Sequence, residues 1–193
     1  MAPIRHTVDD VLDAVRESVL AVGVRRTTLT DVARRAGMSR MTLYRRYPDL
    51  AALVADLMTR EFAAVLSGVH DLGAGLPTAR ERAVAHTVAA VRALHANPLF
   101  AKVLDVDPEL LLPYVIDRVG HTQRLAVAQF GEWLDAGFAD GSIRRGDRQA
   151  MAHALLLTVQ SYVWSMRAVV ADGVAEEALY DELWHILDRS LAP

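Results

Sequence analysis

The sequence contains no cysteine and only one lysine, Lys102, beside 20 arginines. Without cysteine the chain forms no disulfide bond and offers no thiolate to a metal ion or a substrate, which fits the reducing conditions of the cytoplasm. The first ten residues also lack the apolar run of a secretory signal peptide. We therefore expect a cytoplasmic protein.

The spacings that mark common catalytic and metal sites are absent as well. The seven histidines are scattered, and no HExxH, GxSxG or glycine-rich phosphate loop occurs. The alternating acids Asp105, Asp107 and Glu109 are compatible with a metal site. They are better explained as a helix start, with Asp107 as N-cap, Pro108 at the first helical position and an acid near the positive end of the helix dipole. The sequence predicts no catalytic residue, no cofactor and no metal, and hence no enzyme.

Strand-like alternation of apolar and polar residues is missing too, whereas apolar residues recur at helical spacing throughout the chain. The 193 residues, of which 52% are hydrophobic, suffice for one or two domains with a sizeable core. An all-α fold is expected. Caps, glycines and prolines delimit helices at about 8–22, 29–36, 40–46, 49–67, 78–96, 99–104, 107–139, 147–171 and 175–191. Gly120 and Gly131 can kink or split the stretch 107–139.

Residues 27–47, TTLTDVARRAGMSRMTLYRRY, combine two short helices around a tight turn. Thr28 and Asp31 have the spacing of a capping box, and Gly37 can adopt the positive φ that follows many helix ends. Ser39 can cap the second helix, and Pro48 ends it. Two short helices joined by about three residues with a glycine are typical of the helix-turn-helix of DNA-binding proteins.

The second of these helices has suitable chemistry for DNA. Leu43 and Tyr47 can pack inward, which leaves the other side chains for DNA and solvent. Arginine pairs with guanine edges or phosphates, threonine and tyrosine hydroxyls reach phosphate oxygens, and methionine packs against a thymine methyl group. The alternative is a basic αα-hairpin on the surface of a helical protein. The predicted DNA-binding residues of this helix are Arg40, Met41, Thr42, Tyr44, Arg45 and Arg46.

Charge is distributed unevenly along the chain. Residues 1–50 hold nine arginines and six acids, a net charge of +3, whereas the other 143 residues hold twelve basic and eighteen acidic residues, a net charge of −6. A basic end on an acidic body gives the molecule a preferred face toward DNA. We predict a helix-turn-helix DNA-binding domain at 1–48 and a second helical domain at 49–193.

The first fifty or so residues resemble the DNA-binding domain of the tetracycline-repressor (TetR) family of bacterial regulators. The matching features are the capped first helix with Gly23, then TLTDVA from Thr28, AGMS from Ala36, TLY from Thr42, and Tyr47. The resemblance covers about a quarter of the chain. It implies that Thr28, Arg40, Thr42, Tyr44 and Arg45 contact DNA. Two positions depart from the family: Met41 replaces a small residue, and Leu50 replaces the lysine that often opens the fourth helix.

Residues 149–166 contain no charge over eighteen positions, the lower limit for a membrane span. The segment also carries six polar residues and lacks anchoring residues on both sides, so we expect instead a helix that packs its own domain on one face and a partner on another. The final helix has an apolar stripe as well. The resemblance implies that these two helices form a four-helix dimer interface, with Leu179, Leu183, Trp184 and Leu187 as its predicted residues.

The second domain carries few basic residues to pair with an anion, which predicts a largely hydrophobic, non-anionic effector. Polar groups that can orient such a molecule are His86, His121, Gln123, Gln160 and Tyr162. The sequence thus predicts a homodimeric repressor that binds double-stranded DNA at a palindromic operator and leaves it when the effector binds. The alternative is an all-helical enzyme or small-molecule carrier whose basic hairpin has another partner.

Overall fold

The computed structural model describes residues 7–69, 71–110, 117 and 119–193. This part of the chain forms nine α-helices and one 3-10 turn, Pro108–Leu110, and contains no β-strand. The all-α prediction is confirmed. The helices are α1 Val8–Val22, α2 Leu29–Arg35, α3 Arg40–Arg46, α4 Leu50–Val69, α5 Ala79–Ala96, α6 Pro98–Val106, α7 His121–Asp140, α8 Arg148–Ala171 and α9 Glu176–Leu191.

The helices belong to two compact units. The first comprises Met1–Ala63 with Ala96–His121, and the second comprises Ala64–His95 with Thr122–Pro193. This division differs from the boundary after residue 48 that the sequence suggested. α4 begins at Leu50, beyond that boundary, yet its Leu53 and Leu57 are fully buried in the core of the first unit. Helix α6 joins the same core although it lies far along the chain.

The core of the first unit is built from one apolar face of each helix. α1 has the strongest amphipathic pattern there, begins at a capping box between Thr7 and Asp10, and ends at Gly23 with φ 84°. The buried residues are Val11, Leu12, Ala14, Val15, Val19, Val24, Leu29, Val32, Ala33, Leu43, Tyr47, Leu53, Leu57, Leu99 and Val103. The last two belong to α6, so this helix is part of the framework that supports α2 and α3.

The stretch predicted as helical over 107–139 is divided before His121, at Gly120, one of the two glycines expected to kink or split it. Asp107 ends α6, with its N–H bonded to the Val103 carbonyl at 3.0 Å and with φ −134° and ψ 45°. Its own carbonyl accepts from the Leu110 amide at 3.1 Å, so it also starts the 3-10 turn. The next helix with described bounds, α7, begins at His121, directly after Gly120. Residues 111–116 and 118, which the prediction included, lie outside the described residues. The Asp107 carboxylate accepts from the Val24 amide, 83 residues earlier, so this side chain is engaged away from the turn that it precedes.

The second unit is closed by contacts between its early and late helices. The amide of Ala79, at the start of α5, donates to Asp140 Oδ2 at 2.7 Å, and the amide of Arg80 donates to Ser142 Oγ at 3.1 Å. Ile143 packs directly on α7 at Gly137, where a Cβ atom would lie 2.3 Å from the isoleucine side chain. Side chains of α7 and α9 complete this core.

Among the described helices, α8 alone is long and apolar enough to cross a membrane, judged by length and composition. Only 22% of its most apolar window is buried within the chain. One face nevertheless packs into the second unit through Leu156, Val163 and Met166. The helix therefore has one face in the core of the second unit and another that is exposed within the protomer.

Candidate nucleic-acid interface

The turn between α2 and α3 is fixed by the hydrogen bonds of a Schellman motif. The amide of Gly37 donates to the Arg34 carbonyl at 3.2 Å, and the amide of Met38 donates to the Ala33 carbonyl at 2.9 Å. Gly37 has φ 68°, a value that an L-residue with a side chain rarely adopts. The predicted role of this glycine is confirmed, and the motif sets the angle at which α3 leaves α2.

Both helices of the pair begin with the predicted side-chain caps. Thr28 Oγ1 accepts from the Asp31 amide at 3.1 Å, and Ser39 Oγ accepts from the Thr42 amide at 3.1 Å. Thr28 also donates its hydroxyl proton to Asp31 Oδ2 at 2.7 Å. A donated hydrogen bond from Thr28 to a phosphate would require this hydroxyl to turn away from Asp31.

Electrostatics keep the α2 cap charged. The hydrogen bond from Thr28 is the main cause that lowers the pKa of Asp31, and the neighbouring Arg34, whose Nη2 lies 3.3 Å from Oδ1, lowers it further. A charged carboxylate in the first turn also favours the helix dipole. Asp31 is thus an internal partner of the α2 N-terminus and contributes the only acid of the segment from Val24 to Arg46.

Helix α3 presents nearly all of its surface outward. Leu43 is its one buried side chain, and Met41 is 80% exposed. Met41 and Arg45 each lie two positions from Leu43, and at about 100° per residue they fall on the opposite side of the helix. Arg40, Thr42, Tyr44 and Arg46 are exposed on the flanks. All six predicted α3 residues are exposed in the structure.

The seven arginines between Val24 and Arg46 divide into two groups. Three are held by acids: Arg25 by Asp107 and Glu109, Arg34 by Asp31, and Arg35 by Glu17. The other four, Arg26, Arg40, Arg45 and Arg46, form no salt bridge within residues that the structure describes. Arg46 lies over the Tyr47 ring, 5.8 Å from its centroid. The α3 arginines therefore keep their charge available for an external anion.

Arg26 is the additional basic residue that the sequence analysis did not select. It is exposed in the turn between α1 and α2, just before Thr28. The only sequence signal for it was its membership of the arginine cluster. Its lack of an acidic partner among the described residues became visible only in three dimensions.

The four predicted dimer residues occupy different environments. Leu183 and Leu187 are 0% and 1% exposed within the protomer, so they belong to its own core, and Leu179 is half-buried. Trp184 is exposed, as are Ile186 on the same helix and Leu157 on α8. The sequence correctly predicted an apolar stripe on α9. Helical spacing alone, however, does not distinguish a face that packs within the protomer from a face that packs against a partner.

The second unit holds small recesses within its described residues. A narrow recess of about 10 Å³ lies among Val84, Phe130, Trp133, Ile143 and Leu187, enough for about one water molecule. A surface groove of about 300 Å³ is lined by Leu72, Val88, Arg92, Tyr180 and Trp184.

The polar residues considered for an effector do not converge on either recess. His86 is buried, with its ring stacked on Trp133 at a centroid distance of 5.5 Å. His121, Gln123, Gln160 and Tyr162 line neither the narrow recess nor the groove. No group of three or more histidines and acids suited to a metal ion occurs in the described portion.

Comparison with known proteins gives a consistent result. The model for bacterial regulatory proteins of the tetR family matches residues 11–57. HTH-type transcriptional regulators of Mycobacterium bovis and Mycobacterium tuberculosis are each 35% identical over 182 residues, covering 94% of this chain and 92% of their own length.

Two solved structures share the fold at low sequence identity. The transcriptional repressor QsdR of R. erythropolis, a TetR-family protein, is 14% identical with a TM-score of 0.71, covering 95% of this chain and 93% of its own. The transcriptional regulator FadR from Bacillus subtilis, in complex with stearoyl-CoA, is 16% identical with a TM-score of 0.62, covering 96% and 100%.

Proposed function

We propose that this chain, which belongs to the TetR family of bacterial regulatory proteins, represses transcription as a homodimer on a palindromic operator. DNA binding and transcriptional regulation come with the family, and the relatives are regulators and not enzymes. Repression, the dimer, the operator symmetry and the effector are our proposals. A cytoplasmic location follows from them, because the operator lies there.

The observation that carries the DNA-reading proposal is the outer surface of α3. Its three arginines form no salt bridge within the described residues, while Arg25, Arg34 and Arg35, three of the four nearby arginines outside the helix, are neutralised by acids. We propose that Arg45 and Met41, opposite the buried Leu43, contact base edges. Arg40, Thr42, Tyr44 and Arg46 on the flanks then bind phosphates, as does Thr28 at the start of α2.

The dimer proposal rests on the uncovered faces of α8 and α9. Leu157 is 68% exposed at the centre of the uncharged stretch 149–166, and Trp184 and Ile186 are exposed on α9. Around Leu157 the exposed α8 residues are small: Ala154, Ser161, Ser165 and Ala168. Small residues allow a second helix to approach closely, and large exposed apolar side chains such as Leu157 and Trp184 are typical of a protein interface.

We further propose that the effector is largely hydrophobic. The second unit is acidic overall, and several of its arginines are already paired, as Arg80 is with Asp188 and Arg148 with Asp135. FadR from Bacillus subtilis, which shares the fold, is in complex with stearoyl-CoA, which joins a long apolar chain to an anionic CoA group and therefore supports only the apolar part of this proposal. Burial of such a chain contributes about 25 cal/mol per Å² without a counter-charge.

The proposal is tested by selecting bound sequences from random duplex DNA with the full-length protein. We expect an inverted repeat whose half-sites lie about 34 Å, or one helical turn, apart. Binding to the selected duplex should weaken as salt rises, because each neutralised phosphate releases counterions. Recovery of a single, non-repeated site would refute the dimeric mode, and no enrichment at all would refute sequence-specific binding.

A further inference from the structure

Asp107 has an unusual environment for a carboxylate. It is 0% exposed, and its Oδ2 accepts a hydrogen bond from the Val24 amide at 2.7 Å. Oδ1 accepts a longer bond from the Arg25 amide at 3.4 Å and lies 3.7 Å from the Arg25 guanidinium Nε. A buried charge is costly unless it is hydrogen-bonded, and here the donors come from the turn between α1 and α2.

These contacts do not serve α6 itself. Asp107 stands at the C-terminal end of α6, where the helix dipole disfavours a negative charge. Its carboxylate instead caps two amides of the turn that leads into the helix-turn-helix. The residue thus stabilises the position of that turn against α6, at the expense of favourable local electrostatics.

The turn and the end of α6 also fit closely in shape. At Gly23 a Cβ atom would lie 2.9 Å from Val106 Cγ1 and 3.0 Å from Asp107 Oδ2. Gly23 has φ 84° as well, so a glycine is required both by the backbone and by the approach of α6. The contact therefore leaves little room for the turn to slide along the helix.

The other end of α6 is attached to the same unit. Asn97, its N-cap, donates from Nδ2 to Glu61 Oε2 on α4 at 3.1 Å, and Glu61 Oε1 accepts from Arg16 Nε on α1 at 3.1 Å. Between the two ends, Leu99 and Val103 pack in the core. α6 is therefore attached to α1 and α4 at its start and to the α1–α2 turn at its end.

Helix α6 is also joined closely to the helix that precedes it in the chain. α6 follows α5, a helix of the second unit, with only Asn97 between them. A displacement at the end of α5 must be taken up by α6 or by this single linking residue. We propose that Asp107 is a positioning residue that couples α6 to the α1–α2 turn, so that a movement of α6 changes the placement of α2 and α3.

This inference rests on the proposed DNA-binding function and specifies how that function is regulated. Because coupling is reciprocal, it can be measured without knowing the effector. If α6 and the DNA-reading helices are coupled, DNA that immobilises α3 must also slow amide hydrogen exchange in α6. The probe is the duplex recovered by selection from random DNA, and the readout is exchange in residues 98–106 of the full-length protein.

Four variants separate coupling from stability. Asp107→Ala removes both acceptors, while Asp107→Asn keeps one acceptor for Val24 and turns an amide group toward Arg25. Asp105→Asn removes an exposed carboxylate from the same helix. Val103→Ala trims the core under α6 and leaves the contacts of Asp107 in place.

For the wild type we expect DNA to slow exchange in α6 by about fivefold or more, a usual size for coupling between sites. The effect should disappear in Asp107→Ala and be at least halved in Asp107→Asn, at DNA concentrations that saturate each variant. Asp105→Asn and Val103→Ala should retain the wild-type effect. Should Asp107→Ala fail to fold, Asp107→Asn decides the matter.

Three results would overturn the inference. DNA does not slow amide exchange in α6 of the wild type, or it slows exchange in Asp107→Asn as much as in the wild type. The third is that Val103→Ala loses the effect of DNA as fully as the Asp107 variants, which would show that Asp107 acts only through stability. In each of these cases the proposed function stands, because the protein binds its duplex. If the wild type binds no selected duplex, the proposed function fails and this inference fails with it.

Discussion

The arginines in and around the helix-turn-helix differ in whether an acid neutralises them. Three arginines near the helix-turn-helix are neutralised by acids of the same unit, whereas Arg40, Arg45 and Arg46 on α3 form no salt bridge within the described residues. An unpaired arginine costs little while it is solvated, and it gains strong bidentate hydrogen bonds when it meets a phosphate or a guanine.

Arg45→Ala should weaken operator binding by about 1–3 kcal/mol and relax specificity at one base pair, because Arg45 lies opposite the buried Leu43. Arg40→Ala, on the flank, should weaken all duplexes alike and reduce the salt slope by about one. Fluorescence anisotropy titrations at several salt concentrations measure both effects. Arg124→Ala, which removes an exposed arginine of α7, is the control. Unchanged affinity in both α3 variants would contradict the assignment of α3.

Tyr180 links the stability of the second unit to alkaline pH. Burial raises the pKa of Tyr180 to about 12, and the hydrogen bond from its hydroxyl to Glu176 at 3.1 Å is a second cause. An unfolded tyrosine ionises near pH 10, so the neutral phenol stabilises the fold fully below pH 10. That contribution should be lost as the pH rises from about 10 to about 12.

The test is urea unfolding between pH 8 and pH 11. The wild type should lose stability at the alkaline end, and Tyr180→Phe should be less stable at pH 8 but lose less on alkalinisation. Tyr44→Phe, a change on the exposed surface of α3, should follow the wild-type profile. An identical alkaline slope in Tyr180→Phe would show that this hydroxyl does not carry the effect.

At the scale of the element, local signals predicted the helix-turn-helix well. The caps Thr28 and Ser39, the glycine turn at Gly37 and the inward Leu43 all act between neighbours in sequence. Spacing alone therefore reveals them. The same holds for α1, whose cap at Thr7 and end at Gly23 were both readable.

Contacts between distant residues escaped prediction for a physical reason. Asp107 was assigned to a helix N-terminus because Asp-Pro-Glu has that local pattern, yet its partners lie 82 and 83 residues earlier. Likewise, the apolar stripe of α9 did not show which leucines face the protomer core. Leu183 and Leu187 are inside, and Trp184 is outside. Both questions depend on tertiary packing, which one sequence does not record.

Leu43→Ala tests the attachment of α3 to its support. Leu43 is the only buried side chain of α3, and removal of a buried leucine side chain costs about 2–5 kcal/mol. We expect a lower unfolding midpoint in urea and weaker DNA binding. Met41→Ala, which shortens an exposed side chain of the same helix, should leave the midpoint unchanged and affect DNA binding alone. A Leu43→Ala midpoint equal to that of the wild type would contradict the packing described.

Leu157→Arg tests the proposed dimer face of α8. Since Leu157 is 68% exposed, the substitution should change protomer stability by only about 0.5 kcal/mol, as is usual at surfaces. An unpaired charge buried in the interface should nevertheless separate the subunits, and sedimentation should show a monomer with weak operator binding. Leu183→Ala is the matched control: it should destabilise the protomer yet still sediment as a dimer. A dimeric Leu157→Arg would exclude this face.

At the scale of the whole molecule, the uneven distribution of charge agrees with the proposed DNA-binding role of the N-terminal residues. Residues 1–50 carry a net charge of +3, and the rest of the chain carries −6. An acidic body is repelled by DNA, so the basic end is the part that approaches it. The sequence predicted this asymmetry directly, whereas the inclusion of α6 in the first unit required the structure.

The effector should shift the dimer away from DNA only as far as it prefers the DNA-incompetent form. A hundredfold preference is worth about 2.7 kcal/mol per site. We expect neutral or cationic lipophilic compounds to raise the melting temperature and to release the selected duplex. A thermal-shift screen with neutral, cationic and anionic arms, including an acyl-CoA, measures this. If small polar anions alone stabilise the protein and release DNA, the proposed effector class is wrong.

The most direct test of the central claim varies the spacing of the operator half-sites. Full-length protein is titrated by fluorescence anisotropy against the selected duplex and against the same duplex with five base pairs inserted between the half-sites. Five base pairs are about half a helical turn and place the second half-site on the opposite side of the DNA. We predict that affinity falls toward the non-specific level, by about a thousandfold or more. Equal affinity for both duplexes would contradict recognition by two coupled α3 helices of a dimer.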